Sequence, residues 1–491
     1  MSTPATASTA STGSSAPALP SAQDQPPESL TREQLRIGSA LALGSFMVML
    51  DTTVVSIATR TLAVRFGSGL TTVAWVSTAY LLTLSLVIPL SGWAMERYGG
   101  KKVWLTAVAA FCLGSVLCGA AWSIGSLVAF RIVQGLSGGL LAPVGQALIG
   151  RTVGPRLMAR MMSILSVPMM LAPVLGPVLG GLIVDDLSWR WIFFLNLPFG
   201  LTAFALVRRH LGPQAGSRTQ RLDVRGLLLV SPGLAALVYG CSEAGSAGGF
   251  GSARVAAALS AAVVLLVAFC VYSLRTKAVA LLDLRLLRDR HAGAAMANGL
   301  LLGASLFGAM FLLPLYYQQA KGADALHAGL YLAPQGLGAA AASLLAGRLN
   351  DRLGPRVLVF AGLAVTSLAT IPFGLLDTNT STAWLAASLA VRGVGLGLVL
   401  TSVFTAAYAS LDRAAIPRAA TLFNILNRVG GSLGTAVLAV VLQRSLARSG
   451  GADPIGAHVA HSYATAFDWA GVMTLVGLPI ALLLPGPRIR A

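Results

Sequence analysis

Apolar blocks about twenty residues long follow one another along nearly the whole chain. The short loops between them hold most of the Lys and Arg. About 20 residues at 1.5 Å each cross a hydrocarbon core of roughly 30 Å, so each block is a transmembrane helix by length alone. Composition agrees. The 491 residues are 55% hydrophobic and only 11% charged, where a soluble protein carries roughly 25% charged residues. The sequence is that of an all-α, multi-pass membrane protein.

Fourteen spans are expected, near 35–57, 73–93, 103–121, 127–149, 161–183, 190–208, 225–242, 254–274, 292–317, 325–347, 356–376, 383–409, 419–443 and 465–486. Charge supports the count. With the N-terminus in the cytoplasm, cytoplasmic segments hold 25 Lys and Arg and outer segments hold seven. That asymmetry alternates loop by loop, as basic loops retained inside require. Both termini are then cytoplasmic and the location is the inner (plasma) membrane. Residues 1–34, rich in Ser, Thr, Ala and Pro, lack the charged start and apolar run of a signal peptide and read as a disordered tail.

Several function classes drop out. The net charge of +18 is explained by the basic loops, so no nucleic-acid partner is expected. Cys112, Cys118, Cys241 and Cys270 lie in or at the ends of apolar blocks without a CxxC pair, which argues against a disulfide framework or a zinc site. No GxxxxGK[ST] stretch is present, so the chain encodes no ATP-driven pump. "HVAH" (458–461) has a possible metal spacing but is expected in an outer loop without further ligands. No catalytic grouping has supporting context, and no cofactor is expected.

The chain repeats itself. "GWAMERYGGKKVWL" (92–105) aligns without gaps with "GRLNDRLGPRVLVF" (347–360), Glu96 with Asp351, Arg97 with Arg352 and Gly99 with Gly354, at an offset of 255 residues. Removing the two spans at 225–274 leaves about six helices' worth between the copies. The expected organisation is a tail (1–34), a six-helix bundle (35–210), two inserted helices with their linkers (211–285) and a second six-helix bundle (286–491). Duplicated six-helix halves are a transporter plan with the substrate path at their interface.

Four motifs, in order along the chain, give a family resemblance. "GWAMERYGGKK" is similar to the loop signature G-x-L-x-D-R-x-G-R-K. "RIVQGLSGG" (131–139) resembles the fourth-helix R-x-x-Q-G motif. "APVLGPVLGG" (172–181) resembles the fifth-helix motif G-x-x-x-G-P-x-x-G-G. "LDTTVVSIATR" (50–60) is similar to L-D-x-T-V-V-N-V-A-L-P, with Ser56 for Asn and Arg60 for Pro. Together these resemble the fourteen-helix drug/proton antiporter branch of the major facilitator superfamily.

Asp51 is the most informative residue. A charge near a bilayer centre costs roughly 2.5–3.5 kcal/mol on insertion scales, and such residues face the bundle interior and pair. Counting 1.5 Å per residue from the outer helix ends puts Arg131 within a turn of Asp51 in depth, so these two are expected to pair. The resemblance implies proton coupling for both. A carboxylate sheds its charge by taking a proton, while a guanidinium keeps its own, so their separation governs how readily the acid is protonated. A structural, hydrogen-bonded Asp51 without a working role is the alternative.

The resemblance also implies a conformational latch at Gly92, Glu96, Arg97, Gly99, Lys101, Asp351 and Arg352, where a plain basic loop is the alternative. Pro173, Gly176, Pro177, Gly180 and Gly181 read either as close helix packing or as an antiporter hinge. Gln134, Arg392 and Arg428 are assigned to the substrate path, with structural roles equally open for the two arginines. The expected function is proton-coupled export of small amphipathic or cationic compounds, such as drugs or antibiotics, by a monomer in the lipid bilayer. A single intramembrane acid makes multiply cationic cargo less suited. The alternatives are an exporter of one metabolite or self-made antibiotic, and a non-transporting sensor or scaffold.

Overall fold

The computed structural model describes residues 30–217, 221–246, 251–276, 280–377, 380–409, 411, 415–447 and 455–486. Helices account for nearly all of it: α1 (Arg32–Ile57), α2 (Thr59–Phe66), α3 (Leu70–Val87), α4 (Leu90–Tyr98), α5 (Gly100–Gly119), α6 (Ile124–Asp186), α7 (Trp191–Phe194) and α8 (Asn196–His210). Then come α9 (Val224–Ser246), α10 (Ala253–Arg275), α11 (Arg290–Gln319), α12 (Ala325–Gly374), α13 (Thr382–Ala409), α14 (Ile416–Ala447), α15 (Ile455–Leu475) and α16 (Gly477–Ala481). Most of the expected 1–34 tail lies outside the described residues. Its end does not, and there α1 starts at Arg32, earlier than expected. Thr31 accepts from the Gln34 backbone amide at 3.2 Å while the Gln34 side chain accepts from the Thr31 amide at 3.0 Å. This capping box satisfies two otherwise orphaned donors.

Twelve helical stretches among the described residues are long and apolar enough to cross a membrane, or thirteen if the pair Thr71–Val87 and Leu90–Tyr98, bent by 55°, is one span. Fourteen were expected. The difference arises mainly because the spans at 325–347 and 356–376 run together in α12. A break within α12 falls at Gly354, where φ is 75° and ψ 161°. "HVAH" is not in a loop but in the first turns of α15, which begins at Ile455. That early start also puts Asp468 in mid-helix rather than near its end.

The repeat has a backbone counterpart. Gly99, aligned with Gly354, has φ 85° and ψ 136°, so both copies turn between helices through the same region, one open to glycine but costly for other residues. At Gly99 an added Cβ would also strike the carbonyl oxygen of Gln214. Gly99→Ala should therefore cost about 1–3 kcal/mol, read as a thermal unfolding midpoint lowered by a few degrees in detergent. An unchanged midpoint would contradict this account.

α9 and α10, which cover the two spans expected as an insertion, form a hairpin whose α9 packs against α3 and α14. Trp75 of α3 stacks on Tyr239 of α9 with centroids 6.0 Å apart. Asp223 fastens the base of the hairpin: it accepts from the Gly226 amide at 2.9 Å, from the Tyr272 hydroxyl at 2.8 Å and from the Leu281 amide at 3.1 Å.

The buried apolar residues are distributed unevenly. One cluster, with members from Ile37 to Leu484, runs through both repeats at the end carrying Glu96. Towards the other end there are two separate clusters, one holding residues from Phe46 to Phe193 and the other from Ala309 to Ala470. The two repeats thus share a core at one end and keep their own at the other.

Candidate functional site

Asp51 lies within α1, and its side chain is fully buried. Its Oδ2 pairs with Arg131 Nη1 at 2.5 Å. Its Oδ1 accepts from Gln134 Nε2 at 3.1 Å and from Asn196 Nδ2 at 2.9 Å. Ser115 closes the cage, its hydroxyl accepting from both Gln134 and Asn196 at 2.9 Å and donating to the Phe193 carbonyl at 3.0 Å. Arg131 also donates from Nε to the Val76 carbonyl at 3.2 Å, and its guanidinium lies 3.9 Å from the centroid of the Tyr80 ring. Four elements, α1, α5, α6 and α8, thus converge on one carboxylate. Breaking such a buried pair by removing one partner leaves a bare charge in apolar surroundings and costs about 3–5 kcal/mol.

Gln134, assigned to the substrate path from sequence, belongs to this cage: its carbonyl accepts from Arg131 Nη1 at 2.6 Å. Ser115 and Asn196 were missed. Asn196, a carboxamide within the apolar run "WIFFLNLPFG", was the available signal.

Beside the cage, between the two repeats, is a cavity of about 300 Å³. α1 contributes Met49 and Thr52, immediate chain neighbours of the Asp51 turn. α14 contributes Asn424, Asn427 and Arg428, and α9 contributes Cys241 and Ser242. The α9–α10 hairpin therefore forms part of the wall. Arg392 is not in that wall. It is buried and donates to Gln335 Oε1 at 2.7 Å, to Thr370 Oγ1 at 3.3 Å and to the Ser305 carbonyl at 3.3 Å. It occupies the place equivalent to Arg131 at an offset of 261, but neutral groups receive it.

Two ion pairs join the repeats at the end with the shared core. Glu96 accepts from Arg418 Nε and Nη2, both at 3.0 Å. Asp351 accepts from Arg160 Nε at 2.8 Å. The acids align at an offset of 255 and the arginines at 258, so the acid of each repeat reaches the arginine of the other. Arg160 and Arg418 were missed by sequence reasoning, although their matched spacing was visible. Of the expected latch residues, Gly92 lies against α14, where an added Cβ would come within 3.2 Å of Thr421 Oγ1. Arg97 lies over the rings of Trp93 and Tyr98, at 6.0 and 5.8 Å. Arg352 is exposed. Lys101 does not bridge the repeats: it donates to the carbonyls of Arg208 and Leu211, capping the end of α8.

The 172–181 motif faces two ways. Gly176 and Gly180 receive α1, at Thr53 and at Val54 and Ile57, whereas Pro177 touches Gly329 and Gly181 approaches Leu326, both on α12. Pro173 lies in the same stretch of α6, which continues unbroken through both prolines. Among the described residues no group of three or more His, Cys, Asp or Glu is placed to hold a metal ion.

Membrane-length helices around a central cavity, with a caged acid–arginine pair beside it, define a multi-pass membrane transporter. A family model described as Major Facilitator Superfamily matches residues 41–435. The chain belongs to that superfamily, and is a transporter rather than an enzyme. It is similar to the "Multidrug resistance protein B homolog" of Mycobacterium tuberculosis (strain ATCC 25618 / H37Rv), 38% identical over 424 residues covering 86% of this chain and 78% of the relative. It is also similar to the uncharacterized MFS-type transporter YhcA of Bacillus subtilis (strain 168), 31% identical over 82% of this chain and 75% of that one. Among solved structures, the proton:xylose symporter XylE bound to 6-bromo-6-deoxy-D-glucose superposes with a TM-score of 0.62 at 14% identity, covering 91% of this chain and 96% of that one. That likeness is one of fold.

Proposed function

We propose that this protein exports small amphipathic organic compounds across the cell membrane in exchange for protons, by alternating access of two six-helix halves. The observation that carries the reading is the fully buried Asp51–Arg131 pair next to the cavity. The 38% identical relative named for multidrug resistance supports the cargo class. One proton moving down 100 mV supplies about 2.3 kcal/mol. At about 1.4 kcal/mol per decade this sustains roughly a fifty-fold gradient of an uncharged cargo. Asp51 is the proton site, Arg131 its modulator, and Gln134, Asn196 and Ser115 hold the carboxylate in place.

Fourteen spans support the two halves, 35–210 and 286–491, around the insertion at 211–285. The stretch Leu326–Gly374 has 49 residues, about 74 Å at 1.5 Å each and more than twice the hydrocarbon thickness. Dividing it at Gly354 and counting the bent α3–α4 pair as one span yields fourteen. The 25-to-7 distribution of Lys and Arg puts both termini and the Glu96 end in the cytoplasm. With the shared core at that end, the conformation is closed to the cytoplasm.

Glu96–Arg418 and Asp351–Arg160 are the latch that holds this conformation. Each pair is part exposed, so solvent screening limits it to about 0.2–1 kcal/mol. Loss of both should shift the balance toward the cytoplasm-open state by roughly two- to thirty-fold. In a Glu96→Gln, Asp351→Asn double variant, an Ala420→Cys reporter should react that much faster with an impermeant maleimide from the cytoplasmic side. Equal rates would remove the latch from the mechanism.

The exporter reading is tested by profiling toxic compounds in a strain lacking its own pumps, with and without a protonophore. Protection that survives the protonophore would refute proton coupling. Protection against one compound alone would favour a dedicated metabolite exporter.

A further inference from the structure

The cavity wall has an unbalanced charge. Arg428 of α14 lines it, and none of the lining residues is an Asp or Glu. Among the described residues Arg428 forms no ion pair, and the Phe307 ring lies 5.3 Å from its guanidinium. The two buried arginines are provided for: Arg131 has Asp51, and Arg392 has Gln335, Thr370 and Ser305. Asp51 cannot serve Arg428, because both its oxygens are engaged in the cage and its side chain has no exposure. A guanidinium in an apolar cavity without an anion is costly. Its planar fork matches a carboxylate, sulfonate or similar oxyanion with two parallel hydrogen bonds.

The rest of the wall suits the body of such a compound. It is mostly apolar, with Val48, Leu84, Ile88 and Met310 among its members. Ser45, Thr52, Asn424 and Asn427 add neutral polar groups. Deepening the exporter reading, on which this inference rests, we propose that the cavity selects compounds with one acidic group on an apolar body, anchored by Arg428.

The charge balance follows. Moving a proton in and a monovalent anion out transfers about two elementary charges per cycle, so the membrane potential drives such cargo more strongly than neutral cargo.

Three probes of one shape test this: 2-naphthylacetate, 2-naphthylethanol and 2-naphthylethylamine. Their binding to the full chain in nanodiscs is read from naphthalene fluorescence. The acid should bind at least tenfold more tightly than the alcohol, and the amine more weakly than either. Arg428→Gln should bring the acid down to the alcohol's affinity. Ser432→Glu, one turn along α14, keeps the arginine but gives it an intrahelical partner, and should have the same effect. An amine that binds as well as the acid, or an acid preference that survives both variants, overturns the proposal. Proton-driven transport of uncharged or cationic cargo without acid preference would overturn it too, while leaving the exporter reading intact. Acid binding lost in Arg428→Gln, with no proton-driven movement in vesicles, would support the anchor and sink the exporter reading instead.

Discussion

Asp51→Asn should abolish uphill export while leaving downhill exchange of the same cargo. The substitution preserves the shape of the side chain and one acceptor for Arg131, but it removes the only group in the cage that can take up and release a proton. In proteoliposomes with an imposed proton gradient, accumulation should fall from up to roughly fifty-fold per proton at 100 mV to about one-fold. Cargo-for-cargo exchange should persist, because the cavity residues are untouched. Arg131 is then left buried without an anion, and part of the approximately 3–5 kcal/mol cost of a broken buried pair will appear as lost stability. The double variant Asp51→Asn, Arg131→Gln removes both charges and should recover much of that stability without recovering coupling. Folding and coupling are thereby separated. Gradient-driven accumulation by a folded Asp51→Asn protein would end the proposed role of the acid.

Gly430→Val should largely prevent folding. α11 and α14 cross so closely that a Cβ at Gly430 would overlap the Leu300 carbonyl oxygen, and a Cβ at Gly303 would overlap that of Asn427. The obstruction is backbone on both sides, so no rotamer change relieves it. Overpacking a core costs about 1–3 kcal/mol where side chains can adjust, and more where they cannot. The helices would have to separate along a contact that also places Asn427 and Arg428 at the cavity. The yield of monodisperse protein in detergent should fall several-fold or more. Gly471→Val is the control, because the nearest atom to its added Cβ is Thr370 Cγ2 at 4.0 Å. Comparable yields for the two variants would refute the packing argument.

How far the sequence reaches depends on the kind of information needed. Rise per residue is fixed, so counting along two helices brings Asp51 and Arg131 to one depth without any coordinates. Helix rotation about its own axis is not fixed by counting. From sequence Gln134 therefore reads as a path residue and Arg392 as either a path or a structural one; Gln134 turns toward Asp51, and Arg392 toward Gln335 and Thr370. Arg428 lies on the cavity face. The break between two apolar stretches is expected near 347–356, and its place, the turn at Gly354 that separates two helical stretches, lies in a single backbone angle that hydropathy does not register.

By itself the sequence determined the membrane-helical class and the duplication, because the thickness of the bilayer sets block length and the 255-residue offset is written in the residues. It also marked the unusual acid, since a charge inside an apolar run is visible without folding. Tertiary structure alone decided the partners. Asn196 reaches Asp51, Arg160 reaches Asp351 and Arg418 reaches Glu96 across separations of 145 to 322 residues in the chain. Such contacts depend on which faces two packed helices turn toward each other. Side-chain shape and close backbone approach set those faces over the whole bundle at once, so no local pattern of residues encodes them.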